Sequence, residues 1–114
     1  MEINMSDSDG VTLLVLNGRI DSNTAGQMGS SLSAAMRAGG TQLVLDLQDV
    51  DYMSSAGLRQ MVATLKKLQQ KDGDLRLASP TERVREVLQL SGLDSIFTVY
   101  ESAKDAINSF QAVT

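Results

Sequence analysis

Apolar residues along the chain follow two alternating spacings, one typical of strands and one typical of helices. Runs of aliphatic and β-branched residues predict strands at 11–18, 42–47, 75–78 and 96–100. The SDSDG segment at 6–10 has the composition of a turn, so residues 2–5 and 11–16 are predicted to form a β-hairpin. Two strands are therefore expected before the first helix.

Four other stretches repeat apolar residues three and four positions apart, which is the spacing of one helix face. Their apolar positions are Ala25, Met28, Leu32, Ala35 and Met36; Leu58, Met61, Val62, Leu65 and Leu68; Val84, Val87 and Leu88; and Ala103, Ala106, Ile107 and Phe110. Before the third helix, SPTE at 79–82 predicts Ser79 as the N-cap, Pro80 at the first helical position and Glu82 closing a capping box.

The resulting order of elements is β-β-α-β-α-β-α-β-α, which is typical of an α/β protein. Strands separated by helices of this length imply right-handed crossovers, and hence a mixed, mostly parallel β-sheet packed against about four helices. The 114 residues contain no linker or low-complexity tract. We therefore predict a single domain over residues 1–114.

Composition and charge then narrow the classes of partner. A net charge of −4 argues against nucleic acid, because phosphate contacts need clustered Lys and Arg. The N-terminus lacks the cationic start and apolar run of a signal peptide, and no stretch approaches the ~20 apolar residues that cross a bilayer. We therefore expect a cytoplasmic protein without direct membrane insertion.

The stretch DYMSSAGL at 51–58 places two serines between a predicted strand and a predicted helix. Catalysis by Ser54 or Ser55 would need an activating base, and the chain contains no histidine. Lys66 and Lys67 lie two or more turns further along the helix. The stretch also lacks the G-x-S-x-G pattern of hydrolases. We therefore expect that the protein is not an enzyme.

A metal site is expected to be absent as well. The chain has no cysteine, so the ligands would all be carboxylates. Asp46, Asp49 and Asp51 are close in sequence, but Asp46 is expected in or at the end of a strand and the other two in the following, solvated loop. No Walker-type glycine loop is present, so no cofactor is expected.

The two hydroxyls have a structural interpretation and a regulatory one. A serine at the start of a helix is a natural N-cap, which accounts for one of them. A phosphoryl group on such a serine would be accommodated by the free N–H groups of the first helical turn, so the fold would survive modification. Both interpretations stay open on the residues alone.

The segment LVLDLQDVDYMSSAGLRQMV, preceded by LNGRIDSNTA and followed by SGL at 91–93, resembles the STAS domain of anti-sigma factor antagonists. The resemblance covers nearly the whole chain. It implies a small α/β protein that binds an anti-sigma factor, often a serine kinase of the histidine-kinase-like ATPase fold, and thereby frees a sigma factor. That kinase phosphorylates one serine of the antagonist, and a serine phosphatase removes the phosphoryl group.

The resemblance also implies roles for individual residues. The phosphoacceptor of the family matches Ser55, and the acidic residue after the second strand matches Asp21. Many members have Asp before the acceptor and Ser or Thr after it, whereas this chain has Ser54 and Ala56, so Ser54 is a rival acceptor. The residues expected to contact the partner are Asp21, Ser54, Ala56, Gly57, Arg59 and Gln60.

One alternative function remains open on the sequence. A STAS domain can serve as an interaction module without phosphorylation, for example as a cytoplasmic subunit of a lipid-transport ABC system or as a scaffold in a signalling complex. Phosphorylation of Ser55 or Ser54 would favour the antagonist, and stable association with a transport ATPase would favour the module.

Overall fold

The computed structural model describes residues 1–111 and shows five strands and four α-helices within them. The strands are β1 (Glu2–Ser8), β2 (Val11–Ile20), β3 (Gln42–Met53), β4 (Asp74–Ala78) and β5 (Val99–Tyr100). The helices are α1 (Ala25–Arg37), α2 (Ser55–Gln69), α3 (Glu82–Leu90) and α4 (Ala103–Phe110), with a short 3-10 helix at Leu93–Ser95. The predicted order of elements is confirmed.

The five strands form one mixed sheet in the order β1-β2-β3-β4-β5. The hairpin of β1 and β2 is antiparallel and turns at Asp9 and Gly10, which both have positive φ. The other neighbouring pairs are parallel, as the intervening helices require. The carboxyl ends of β2, β3 and β4 therefore lie at the same edge of the sheet.

Helices cover the two faces of the sheet unequally. The main core joins the buried sides of α1, α2 and α3 to one face, and its residues include Leu14, Leu45 and Leu77 from the strands. A smaller core on the other face consists of Val11, Val44, Ala78 and Ala106, with α4 packed over it. The alternation of apolar residues along β2 supplies both cores, because successive side chains of a strand point to opposite faces.

Strand β3 is longer than the sequence predicts. Asp49 and Asp51, which we expected in a loop, lie within it, so that expectation is wrong. The strand continues because β2 also continues to Ile20 and supplies backbone partners, with shifts in register after Val15 and Gly18. Because of this extension, β3 ends beyond the last residue of β4. The SSAGL segment therefore lies at the edge of the sheet formed by the carboxyl ends of the parallel strands, which we call the top of the sheet.

The N-cap of α3 also differs from the prediction. Thr81, and not Ser79, caps the helix, since its Oγ1 accepts a hydrogen bond from the Val84 N–H at 3.3 Å. The same hydroxyl donates to the Val50 carbonyl at 3.1 Å, which ties the cap to β3. Ser79 has φ +52° and donates instead to the carbonyl of Glu101. The helix therefore starts at Glu82, two residues after Pro80.

The last strand is also shorter than expected. Of the predicted 96–100 strand, only Val99 and Tyr100 pair with β4. The chain leaves α3 through Gly92, whose φ is +77°, a conformation that favours glycine. It then forms the 3-10 helix, which brings Leu93 back against the main core.

Candidate functional site

Two connecting turns begin side by side at the carboxyl edge of the sheet. Ile20 and Met53, the last residues of β2 and β3, are partners in the parallel pairing. The Ser54 N–H donates to the Ile20 carbonyl at 2.8 Å, which continues the pairing by one residue. Asp21 and Ser54 therefore start their turns next to each other.

The SSAGL segment, residues 54–58, forms the corner between β3 and α2, and we call it the SSAGL corner. Its two serines have different environments. Ser54 has an extended backbone (φ −86°, ψ 167°), and its Oγ accepts a hydrogen bond from the Gly57 N–H at 3.2 Å, so it is the N-cap of α2. Ser55 is the first residue of α2, and its side chain is exposed. One hydroxyl therefore stabilises the helix, while the other faces solvent.

Gly57 fixes how closely the corner approaches the sheet. A Cβ atom at this buried position would lie 2.6 Å from Ile20 Cγ2 and 2.6 Å from Met53 Sδ. The first turn of α2 consequently lies directly on the ends of β2 and β3, with half-buried Ala56 packed against the main core. Ala56 and Gly57, both expected to contact the partner, thus contribute to the shape of the corner.

The Asp21 carboxylate is engaged with its own turn. Its Oδ1 accepts hydrogen bonds from the N–H groups of Asn23 at 2.9 Å and Thr24 at 3.1 Å. These two hydrogen bonds hold the pKa of Asp21 below its ordinary value of 3.8, and the bond from Asn23 has the larger effect. The Thr24 hydroxyl accepts from the Asp21 N–H at 2.9 Å. The charge is therefore fixed in place beside the corner.

Arg19 and Tyr52 are neighbours of this turn that the sequence did not single out as a pair. They are partners in the pairing of β2 with β3, and the Arg19 guanidinium lies 4.5 Å from the centroid of the Tyr52 ring. Arg19 Nε is 3.9 Å from Asp21 Oδ2. The pairing could not be read from the sequence because two register shifts precede it.

Arg59 and Gln60, which are both expected to contact the partner, differ in exposure. Arg59 is exposed on α2. Gln60 is half-buried, and its side-chain amide occupies the space that a Cβ atom of Gly29 would need on α1. Gln60 therefore packs between the two helices, and a Cβ atom at position 29 would require its side-chain amide to move.

A groove runs along α2 from the corner, between the helix and the segment that follows α3. Its volume is about 530 Å³, and its lining consists of Ser55, Leu58, Arg59, Val62, Ala63, Lys66, Ser91 and Leu93. We name it the α2 groove. Most of the lining is apolar, and its two charged residues are both cations. The groove joins the SSAGL and SGL motifs, which are far apart in the sequence.

The described residues do not assemble a metal centre. Within residues 1–111, no group of three or more His, Cys, Asp or Glu side chains could hold a metal ion. Asp46 is buried, and its Oδ1 accepts from the Gln48 N–H at 3.1 Å. In the same part of the chain, no helix combines the length and apolar character needed to span a membrane.

Comparison with known proteins gives the family. The STAS domain family matches residues 2–106. BtrV of Bordetella bronchiseptica, whose name places it among anti-sigma factor antagonists, is 39% identical over 111 residues, which are 97% of this chain and 96% of BtrV. The likeness therefore extends over essentially the full length of both proteins.

Solved structures agree with this assignment. The crystal structure of an anti-sigma factor antagonist from Mycobacterium paratuberculosis has a TM-score of 0.90 at 29% identity, covering 97% of this chain and 94% of the other. The Bacillus protein SpoIIAA in its phosphorylated form has the same fold, with a TM-score of 0.75 at 21% identity over 96% of this chain and 99% of the other. The five-stranded mixed sheet, the SSAGL corner and these matches together show that the chain belongs to the STAS domain family.

Proposed function

We propose that the protein is an anti-sigma factor antagonist that binds an anti-sigma factor through the SSAGL corner and the α2 groove. The observation that carries this proposal is the position of Ser55, exposed at the start of α2 and at one end of a mainly apolar groove. Apolar surface rimmed by polar residues is the usual form of a protein-binding site on a small domain. The names of the relatives support the same class of partner.

The proposed partner is a serine kinase of the histidine-kinase-like ATPase fold, and Ser55 is its proposed phosphoacceptor. Ser55 is exposed, whereas the Ser54 hydroxyl is occupied as the cap of α2. This difference favours Ser55 over its rival. A serine phosphatase would reverse the modification. The role of this chain is to bind, be modified and be released, and none of its own residues is proposed to be catalytic.

Phosphorylation would weaken binding through charge. A phosphoryl group adds about −1.5 to −2 charges at pH 7. An acidic group of the partner ~6 Å away would be repelled by ~3 kcal/mol per unit charge at an effective dielectric constant near 20, about a hundredfold in affinity. Asp21, whose turn begins beside the corner, adds to the negative charge there. The free N–H groups of the first turn of α2 offset part of the cost within the protein, so binding would be lost before folding.

The experiment that tests this function is mass spectrometry of the protein from its own host, where the cytoplasm is its expected location. We expect an addition of ~80 Da at Ser55, absent from a Ser55→Ala variant and retained in a Ser54→Ala variant. Phosphorylation of Ser54 instead would show that Ser54 is the phosphoacceptor. An unmodified protein that stays bound to a transport ATPase would replace the antagonist proposal with the transport-module alternative.

A further inference from the structure

We infer that Arg59 is the internal counter-ion of phosphorylated Ser55, so that modification both adds charge to the α2 groove and withdraws a cation from it. This inference rests on the proposed phosphorylation of Ser55. Ser55 and Arg59 are four positions apart on one helix, and both line the α2 groove. Side chains at this spacing are neighbours on a helix surface, with about 5–6 Å between their Cβ atoms.

The direction of helical side chains favours this contact. The Cα–Cβ bonds of a helix tilt toward its N-terminus, so a long side chain covers the turn before its own Cα. This direction would bring the Arg59 guanidinium toward Ser55. Its planar array of donors suits the oxygens of a phosphoryl group, to which it can donate two hydrogen bonds.

Among the residues that the structure describes, Arg59 is a cation near the corner that forms no ion pair with a carboxylate. The two ion pairs found within residues 1–111 are Arg19 with Asp21 and Arg76 with Asp74. Arg19 is further engaged with the Tyr52 ring. The lining of the α2 groove contains no Asp or Glu that could compete for Arg59.

Lys66, the second cation of the groove, is too far away to take this role. It lies eleven residues beyond Ser55 on α2, which corresponds to about 16 Å along the helix axis at ~1.5 Å per residue. In the unmodified protein both cations face the groove and are available to a partner. After modification, Lys66 would remain available while Arg59 would be paired internally.

The experiment uses the whole protein with phosphoserine genetically encoded at position 55, and no kinase or partner is needed. The second ionisation of the phosphoryl group is followed by phosphorus NMR between about pH 4 and 8, around its ordinary pKa of about 6. An arginine at helical spacing stabilises the dianion, so we expect a pKa about 0.3 unit lower than in an Arg59→Gln variant. The Nε–H resonance of Arg59 should move with the same midpoint.

A matched variant controls for the general loss of a positive charge. Arg37 is exposed at the last turn of α1, near Lys67 and therefore near the far end of α2. Arg37→Gln should leave the phosphoryl pKa unchanged, and Arg59→Lys should recover part of the difference. Equal pKa values in the protein with Arg59 and in its Arg59→Gln variant would overturn the inference. The proposed function has its own test, because phosphorylation in the host is measured separately.

Discussion

The two turns that start side by side at the top of the sheet use their polar groups in opposite ways. In the turn after β2, Oδ1 of the Asp21 carboxylate accepts from the N–H groups of Asn23 and Thr24, so the carboxylate is held within the turn. In the turn after β3, Ser54 supplies the cap and Ser55 is left exposed. One turn holds a fixed charge, and the other presents the exposed hydroxyl at which we propose phosphorylation.

The corner combines rigid packing with an exposed hydroxyl. Rigidity comes from buried or internally bonded groups: Gly57 against the strand ends, the Ser54 cap and the Asp21 turn. The Ser55 hydroxyl belongs to the next residue along the chain, and its exposed side chain supplies no cap to the helix. The proposed phosphorylation of Ser55 would therefore change the charge of the surface and leave the Ser54 cap and the Gly57 contacts in place.

The largest expected effect on stability comes from Gly57. A Gly57→Ala substitution places a Cβ atom 2.6 Å from Ile20 Cγ2 and Met53 Sδ, so the corner must move away from the strands. We expect a loss of about 1–3 kcal/mol in the free energy of unfolding, typical of overpacking. Urea denaturation measures it. Gly26→Ala on α1 is the matched control, since nothing lies within 4 Å of its added Cβ and its stability should be unchanged or slightly higher.

A smaller effect is expected from the cap of α2. Ser54→Ala leaves the Gly57 N–H without its acceptor, and such N-cap losses cost about 1 kcal/mol. Ser54→Asp should retain the stability, because a carboxylate caps a helix as well as a hydroxyl does. Both values come from urea denaturation at neutral pH. Equal losses in the two variants would show that the cap is not what Ser54 contributes.

The hydrogen bonding of Asp21 should make the free energy of unfolding depend on pH. Backbone hydrogen bonds from Asn23 and Thr24 hold the pKa of Asp21 below 3.8 in the folded protein. The stabilisation is therefore fully present above the unfolded-state pKa and is lost as the pH falls through the lower, folded-state pKa. Asp21→Asn should remove this contribution, so that the stability difference from the unsubstituted protein is largest near pH 6 and shrinks toward pH 2. A difference that stays constant over this range would contradict the proposed hydrogen bonding of the carboxylate.

The smallest effect on stability is expected at Ser55 itself. Ser55→Ala should change the free energy of unfolding by less than about 0.5 kcal/mol, since the side chain is exposed and the cap is supplied by Ser54. Thermal unfolding of the two proteins side by side is sufficient to measure it. A loss as large as that of Ser54→Ala would mean that both serines support the helix.

Much of the fold could be predicted because the local patterns and the tertiary structure agree. The helical spacing from Leu58 to Leu68 and from Ala103 to Phe110 corresponds to buried faces in the structure. The predictions were wrong where contacts between residues distant in sequence determine the bounds of an element. β3 extends to Met53 because β2 provides partners across two register shifts, and the cap of α3 moves to Thr81 because its hydroxyl also reaches Val50.

The site was predicted only in part for the same reason. The corner is a local motif, so a cap and an exposed serine could be expected from two adjacent hydroxyls. The α2 groove is lined by both Val62 and Leu93, which are far apart in the sequence and are brought together only by the fold. The placement of Gln60 against Gly29 depends on how α1 packs on α2, which no spacing in the sequence reveals.

The central claim is that a phosphoryl group on Ser55 ejects the anti-sigma factor while leaving the domain folded. The most direct test is calorimetric titration of the host's anti-sigma factor with the unmodified protein and with the protein carrying phosphoserine at position 55, each checked for native circular dichroism. The account predicts native spectra for both and an affinity about a hundredfold lower for the modified form. Equal affinities of two folded proteins would contradict it.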